Sequence, residues 1–185
     1  MFKFIIAHSF VIAQIFGFIA MALQIFSFQF KKHKVIMTMQ VISSIFWCLH
    51  YLTLGVYTAL AINIIHGIRN YVYGLREKKN LNSKIIPAIF IIFTVCSSIY
   101  TWSSWWSLLA MTASLFSTIA NWQKDTNKLK LISLPREILW ITYDIINKSI
   151  AGACSDAFAM ISIFISFYRI SRENKKGELH NASIQ

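Results

Sequence analysis

Acid is scarce in this chain. Seven Asp and Glu stand against 18 Lys and Arg, and charged residues make up 14% of the 185 positions; a soluble domain carries about 25%. Proline occurs twice and glycine six times, which excludes a collagen-like or low-complexity disordered chain. The three cysteines, Cys48, Cys96 and Cys154, each lie in an apolar run, with no Cys-x-x-Cys or Cys/His ligand spacing. Neither a disulfide framework nor a zinc site is indicated. HExxH, GxSxG and a Cys/His dyad at a useful spacing are missing as well. No enzyme activity, metal or cofactor is therefore expected.

What is present is apolar side chain: 56% of residues are hydrophobic, 15% are aromatic and the mean hydropathy is +0.55. That excludes a soluble Rossmann, barrel or sandwich enzyme and predicts an all-α integral membrane protein whose main partner is the lipid bilayer. A helix needs about 20 apolar residues to cross the hydrocarbon core. Runs of that kind fall at 5–28, 35–54, 56–75, 85–100, 104–121, 129–147 and 150–168. Seven transmembrane helices are predicted.

Charge placement tests the count. A formal charge of +11 can signal nucleic acid, but here the basic residues form short clusters between apolar runs. Lys31-Lys32-His33-Lys34, the segment from Arg76 to Lys84, the segment from Lys124 to Lys130, and the tail from Arg169 hold most of them. With seven spans all four lie on one face, leaving Lys3 and Lys148 on the other. The positive-inside rule then places the amino terminus outside and the carboxyl terminus in the cytoplasm of a multi-pass protein. No nucleic-acid partner is expected. Tyr100, Trp102, Trp105 and Trp106 crowd the outer turn between spans four and five, at the headgroup level such rings prefer. Lys3 before an apolar run gives the first span a signal-peptide character, but the run is too long for one. Arg69, Arg136 and Glu137 lie near the cytoplasmic surface, where long side chains snorkel to water. The polar tail after Lys176 is expected to be disordered.

The chain also repeats itself. Ala20-Met21 and Phe26-Ser27 recur 90 residues later as Ala110-Met111 and Phe116-Ser117. Three residues enter the next loop, and the offset becomes 93: Ile45 aligns with Ile138, Trp47 with Trp140, Asn63 with Asp156, Ile68 with Ile161 and Arg76 with Arg169. The repeat maps spans 1-2-3 onto 5-6-7 and leaves span 4 as a linker. The organisation expected is a first three-helix bundle over 1–79, a linker helix over 80–102, a second bundle over 103–172 and a polar cytoplasmic tail over 173–185. The lone fourth helix restores the orientation of the second unit, which makes the repeat parallel.

That 3+1+3 arrangement resembles the SWEET sugar transporters and the PnuC vitamin-precursor transporters; half-sized SemiSWEETs dimerise to a similar shape. The proline-glutamine pair of the PQ-loop proteins is absent, since Pro87 and Pro135 are followed by Ala88 and Arg136. No hinge is assigned. The stretch FKKHK, followed by QVISSIFWCLHYLTLGVYTALAINIIHGIRN over 40–70, resembles the YgjV family of bacterial inner membrane proteins. That resemblance implies inner-membrane localisation and no particular substrate.

Polar side chains are expensive in hydrocarbon and by default face the bundle interior. Asn63, His66 and Asn70 share one face of span 3, and Trp47, His50, Tyr51 and Leu54 share one of span 2. The second unit offers Trp140, Tyr143, Asp144, Asn147 and Asp156. Each unit sets an aromatic 16 residues before a short polar side chain, 47 to 63 and 140 to 156. An indole face suits a ring, and carboxamide or carboxylate groups hydrogen-bond hydroxyls. The substrate-binding candidates are Trp47, His50, Asn63, His66, Trp140, Tyr143, Asp144 and Asp156, with a small polar solute as ligand. A carboxylate among apolar helices can carry a proton, with Asp156 the preferred carrier; Asp144 pairing with a neighbouring cation is the structural alternative. Gln14, Gln24 and Gln40 are expected to hydrogen-bond adjacent helices. The function expected is a small-solute transporter or facilitator, for a sugar-, nucleoside- or vitamin-like molecule. The alternative is a non-transporting accessory or scaffold protein.

Overall fold

The computed structural model describes residues 2–27, 33–79, 83–123 and 126–182; the charge expectations at Lys31, Lys32 and Lys124 fall outside them. The described residues form seven α-helices: α1 (Phe2–Ser27), α2 (His33–Leu54), α3 (Tyr57–Lys79), α4 (Ile85–Tyr100), α5 (Ser107–Trp122), α6 (Thr126–Ile146) and α7 (Ile150–Ala182). All seven coincide with the apolar runs. Both prolines are accommodated. Pro87 occupies the first turn of α4, where its missing N–H has no helical partner to lose. Pro135 lies inside α6 and removes one ladder bond there.

The distribution of polarity is inverted relative to a soluble protein. Large apolar side chains face outward, among them Phe18 on α1, Ile92 and Phe93 on α4, and Phe158, Phe164 and Ile165 on α7. Buried positions are held by small, polar or aromatic residues, and Ile62 is the single branched aliphatic residue buried among those described. Only hydrocarbon as solvent stabilises such a surface; in water these faces would be an aggregation hazard. Polar side chains on the helices satisfy themselves by bonding the carbonyl four residues back. Ser44 donates to Gln40 O, Thr118 to Ser114 O, Ser133 to Leu129 O and Thr142 to Ile138 O. That backbone bonding is how a span tolerates hydroxyls.

Within the first half α2 packs between α1 and α3, and within the second α6 packs between α5 and α7; α4 rests on α3 and α5. The halves meet along two seams, α1 against α7 and α3 against α5. Exchanging helices 1, 2, 3 for 5, 6, 7 turns one seam into the other. At one seam Gly17 abuts Ala151 so closely that a Cβ on the glycine would collide with the alanine Cβ. At the other, Ser107 Oγ lies 3.4 Å from Thr58 Oγ1. These contacts are equivalent under the offsets of 90 and 93. The short turns between α2 and α3 and between α6 and α7 also match: Gly55 (φ 72) and Lys148 (φ 58) are the two left-handed residues among those described, 93 positions apart.

Two expectations are corrected. Arg69 and Glu137 do not reach water: Arg69 is 2% exposed and Glu137 0%. Each is held by interior partners, described below. The tail is not irregular either, because α7 runs on to Ala182. Its 33 residues extend about 50 Å at 1.5 Å per residue, well beyond a bilayer core of about 30 Å. No proline interrupts the polar segment, so the helix has no reason to stop at the apolar boundary.

A polar seam between two halves as candidate functional site

α2 and α6 face each other across the centre, and their side chains meet where their backbones do not. Near the short-turn end, the Tyr51 hydroxyl donates to Asp144 Oδ1 at 2.8 Å. Both residues are buried, at 3% and 0% exposure. They are 93 positions apart, the offset at which Trp47 and Trp140 recur in the sequence.

Around that pair the short-turn end is tied shut. His50 Nδ1 lies 2.6 Å from the Ala13 carbonyl and Nε2 lies 2.7 Å from Ser149 Oγ. A carbonyl only accepts, so Nδ1 carries the hydrogen and Nε2 of the neutral ring accepts from the serine hydroxyl. Gln14 bridges the α1–α7 seam, donating Nε2 to Lys148 O at 3.1 Å and accepting from Ala151 N at 2.9 Å. Gly152 is required here: a Cβ would overlap Asp144 Oδ2 and Ser149 Oγ.

Below the lock lies an aromatic layer. Trp47 stacks on Tyr51 with centroids 5.9 Å apart, Tyr51 lies 6.5 Å from Trp140, and Trp140 meets Tyr143 edge-on at 5.6 Å and His66 at 6.4 Å. Trp47 Nε1 donates to Gln24 Oε1, and His66 Nε2 pairs with Ser114 Oγ at 2.8 Å across the α3–α5 seam. Asn63 is buried with its amide donating to Ala59 O of its own helix. The Tyr143 hydroxyl and Asp144 Oδ2 are buried without a hydrogen-bond partner.

A charged layer follows toward the basic-loop end. Arg136 pairs with Glu137, and Asp156 lies beside both. Arg69 donates to Thr118 Oγ1 at 3.1 Å and to Asn70 Oδ1 at 3.2 Å, with Tyr73 5.9 Å from its guanidinium carbon. It forms no ion pair among the described residues.

Of the eight candidate residues, Trp47, His50, His66, Trp140, Tyr143 and Asp144 fall in one connected cluster around Tyr51. Asn63 is self-bonded on α3, and Asp156 belongs to the Arg136–Glu137 group. Asp144 is paired with a phenol, not with a cation. Sequence reasoning left Tyr51, Ser149 and Arg69 out of the site; the offset of 93 from Asp144 would have pointed to Tyr51. Among the described residues no three His, Cys, Asp or Glu side chains are grouped to hold a metal.

These features define a multi-helix membrane protein with an aromatic and hydrogen-bonding interior between two halves. The chain belongs to the Imp-YgjV family of bacterial inner membrane proteins, whose profile matches residues 11–174. No curated protein and no solved structure matches it.

Proposed function

We propose that this protein is a small-solute transporter or facilitator of the bacterial inner membrane, with its amino terminus outside. It works by rocking two parallel three-helix units, joined by α4, around a midplane site. The observation that carries the reading is the Tyr51–Asp144 bond between repeat-equivalent positions. A pair on the axis is where relative rotation of two units opens or closes a path. In this conformation the short-turn end is closed, by Tyr51–Asp144, His50–Ser149 and Gln14–Ala151. The rings of Trp47, Trp140 and Tyr143 below it suit a ring-bearing, hydrogen-bonding solute, such as a sugar-, nucleoside- or vitamin-like molecule. Alternating access in parallel repeats uses the same logic.

A second reading, a scaffold or accessory protein with no transport cycle, draws on the self-satisfied Asn63 and the dense bonding of the interface. The experiment that separates them is a thermal-stability screen of the purified protein against sugars, nucleosides and vitamin precursors, with Asn63→Ala/Asp156→Ala beside it. A solute that stabilises the native protein and not the variant supports transport. Solute counterflow in liposomes then measures it directly. No counterflow for any stabilising solute, or no stabilising solute, favours the scaffold.

A further inference from the structure

Arg69 is the interior's unspent charge. Its guanidinium carries five N–H donors, and two of them are used, both on neutral acceptors, Thr118 Oγ1 and Asn70 Oδ1. Nε is buried with no partner. A charge that far from water is ordinarily paired, because removing an ion from water costs several kcal/mol that only a counter-ion offsets well. The acids nearby do not supply one: Glu137 is committed to Arg136, Asp156 lies against that same pair, and Asp144 is bonded to Tyr51. Arg136 is close enough to Arg69 to repel it, and its own Nε also lacks a partner. The charge is not repeated, since the residue 93 places on is Ser162.

The surroundings describe what would complete the site. Toward the centre, His66 faces the Trp140 ring and lies one helical turn before Arg69. Toward the basic-loop end, Tyr73 packs against Phe90 and Trp122, with centroids at 6.0 and 5.2 Å. A guanidinium with three free donors, held in place by Thr118 Oγ1 and Asn70 Oδ1 and with the Tyr73 ring beside it, is matched by a planar or tetrahedral oxyanion. We infer that Arg69, positioned by Asn70 and Thr118, forms an anion site, taking a carboxylate or phosphate group on its free donors. This rests on the transporter reading in making that group part of the solute, and it narrows the solute class to an organic anion with an apolar ring. The same chemistry is offered by a phospholipid headgroup.

The test uses full-length protein in detergent, with benzoate, its neutral counterpart benzamide, inorganic phosphate, and phosphatidylglycerol against phosphatidylcholine. Thermal midpoint and tryptophan fluorescence are read for the wild type, Arg69→Met and Arg69→Lys. The expected result is a rise of roughly 5–10 °C with an anion at about 100-fold over its Kd, and none with benzamide or phosphatidylcholine. Arg69→Met weakens that binding roughly 10- to 100-fold, and Arg69→Lys less, since it keeps charge and loses the fork. Ligand-free Arg69→Met melts higher than the wild type, because an uncompensated charge is removed. A response to benzoate or phosphate assigns the site to a soluble anion; one to phosphatidylglycerol alone assigns it to lipid. If no anion produces a rise that depends on Arg69, or if benzamide binds as well as benzoate, the inference is overturned. Binding without counterflow would leave the anion site standing and defeat transport. Counterflow of a neutral solute without anion binding would do the reverse.

Discussion

The two halves share a scaffold and differ in what they place inside it. At matching positions α2 has Tyr51 where α6 has Asp144, Ser44 where α6 has Glu137, and Ser43 where α6 has Arg136; α3 has Asn63 where α7 has Asp156 and Arg69 where α7 has Ser162. Turns and close helix contacts are kept, as Gly55 with Lys148 and Thr58–Ser107 with Ala151–Gly17 show. Backbone geometry is thus constrained in both halves, and interior chemistry has diverged. The first half brings histidines and an unpaired arginine; the second brings every buried acid among the described residues. The interface is complementary because the halves are unlike.

Substitutions at equivalent positions can break that comparison. The largest effect is expected at Gly152, whose counterpart is Ala59, fully buried and tolerated. Gly152→Ala pushes a methyl into Asp144 and Ser149 and should cost about 1–3 kcal/mol by overpacking, measured by denaturant titration of the purified protein. Ala59→Gly should cost only about 1 kcal/mol, through helix propensity. Equal costs at both positions would defeat the asymmetry.

Next comes the axial pair. Tyr51→Phe leaves Asp144 Oδ1 without its donor and should destabilise by about 1–3 kcal/mol. A double-mutant cycle with Asp144→Asn should give a coupling of about 0.6–2 kcal/mol, the range for hydrogen bonds between membrane helices. A coupling near zero would mean that the bond does not tie the halves.

The smallest effects sit at the two turns and have opposite signs. Gly55→Ala imposes a side chain on a left-handed residue (φ 72) and should destabilise by about 1 kcal/mol. Lys148→Gly relieves the same conformation (φ 58) and should stabilise by a few tenths to about 1 kcal/mol. Thermal midpoints moving in the same direction would mean that the turns are not equivalent.

Much of the fold was legible because hydrocarbon imposes simple rules. The length and spacing of the apolar runs sufficed to place seven helices. The interior was legible only in part. His50, Trp140 and Asp144 declared themselves as polar or aromatic residues on inward faces, and they do converge. Arg69 did not, since an arginine near the end of an apolar run reads the same whether it snorkels or is buried; only Thr118, brought to it by packing, decides. Gln14 reaching Ala151 depends on a seam 137 residues apart in sequence, for which no local pattern exists. The continuation of α7 was missed because polarity was taken as a stop signal, although no proline interrupts the segment and the helix runs through Gly177.

The Tyr51–Asp144 bond carries one more consequence. In a dimer of identical half-length chains, any residue on the symmetry axis meets its own copy, so two phenols or two carboxylates would face each other there. Two buried carboxylates repel unless they share a proton. A phenol donating to an acid needs the two sides of the axis to be encoded separately. Joining both halves in one chain is therefore a chemical licence: it opens the axis itself to unequal partners, a pairing no self-assembling half could make.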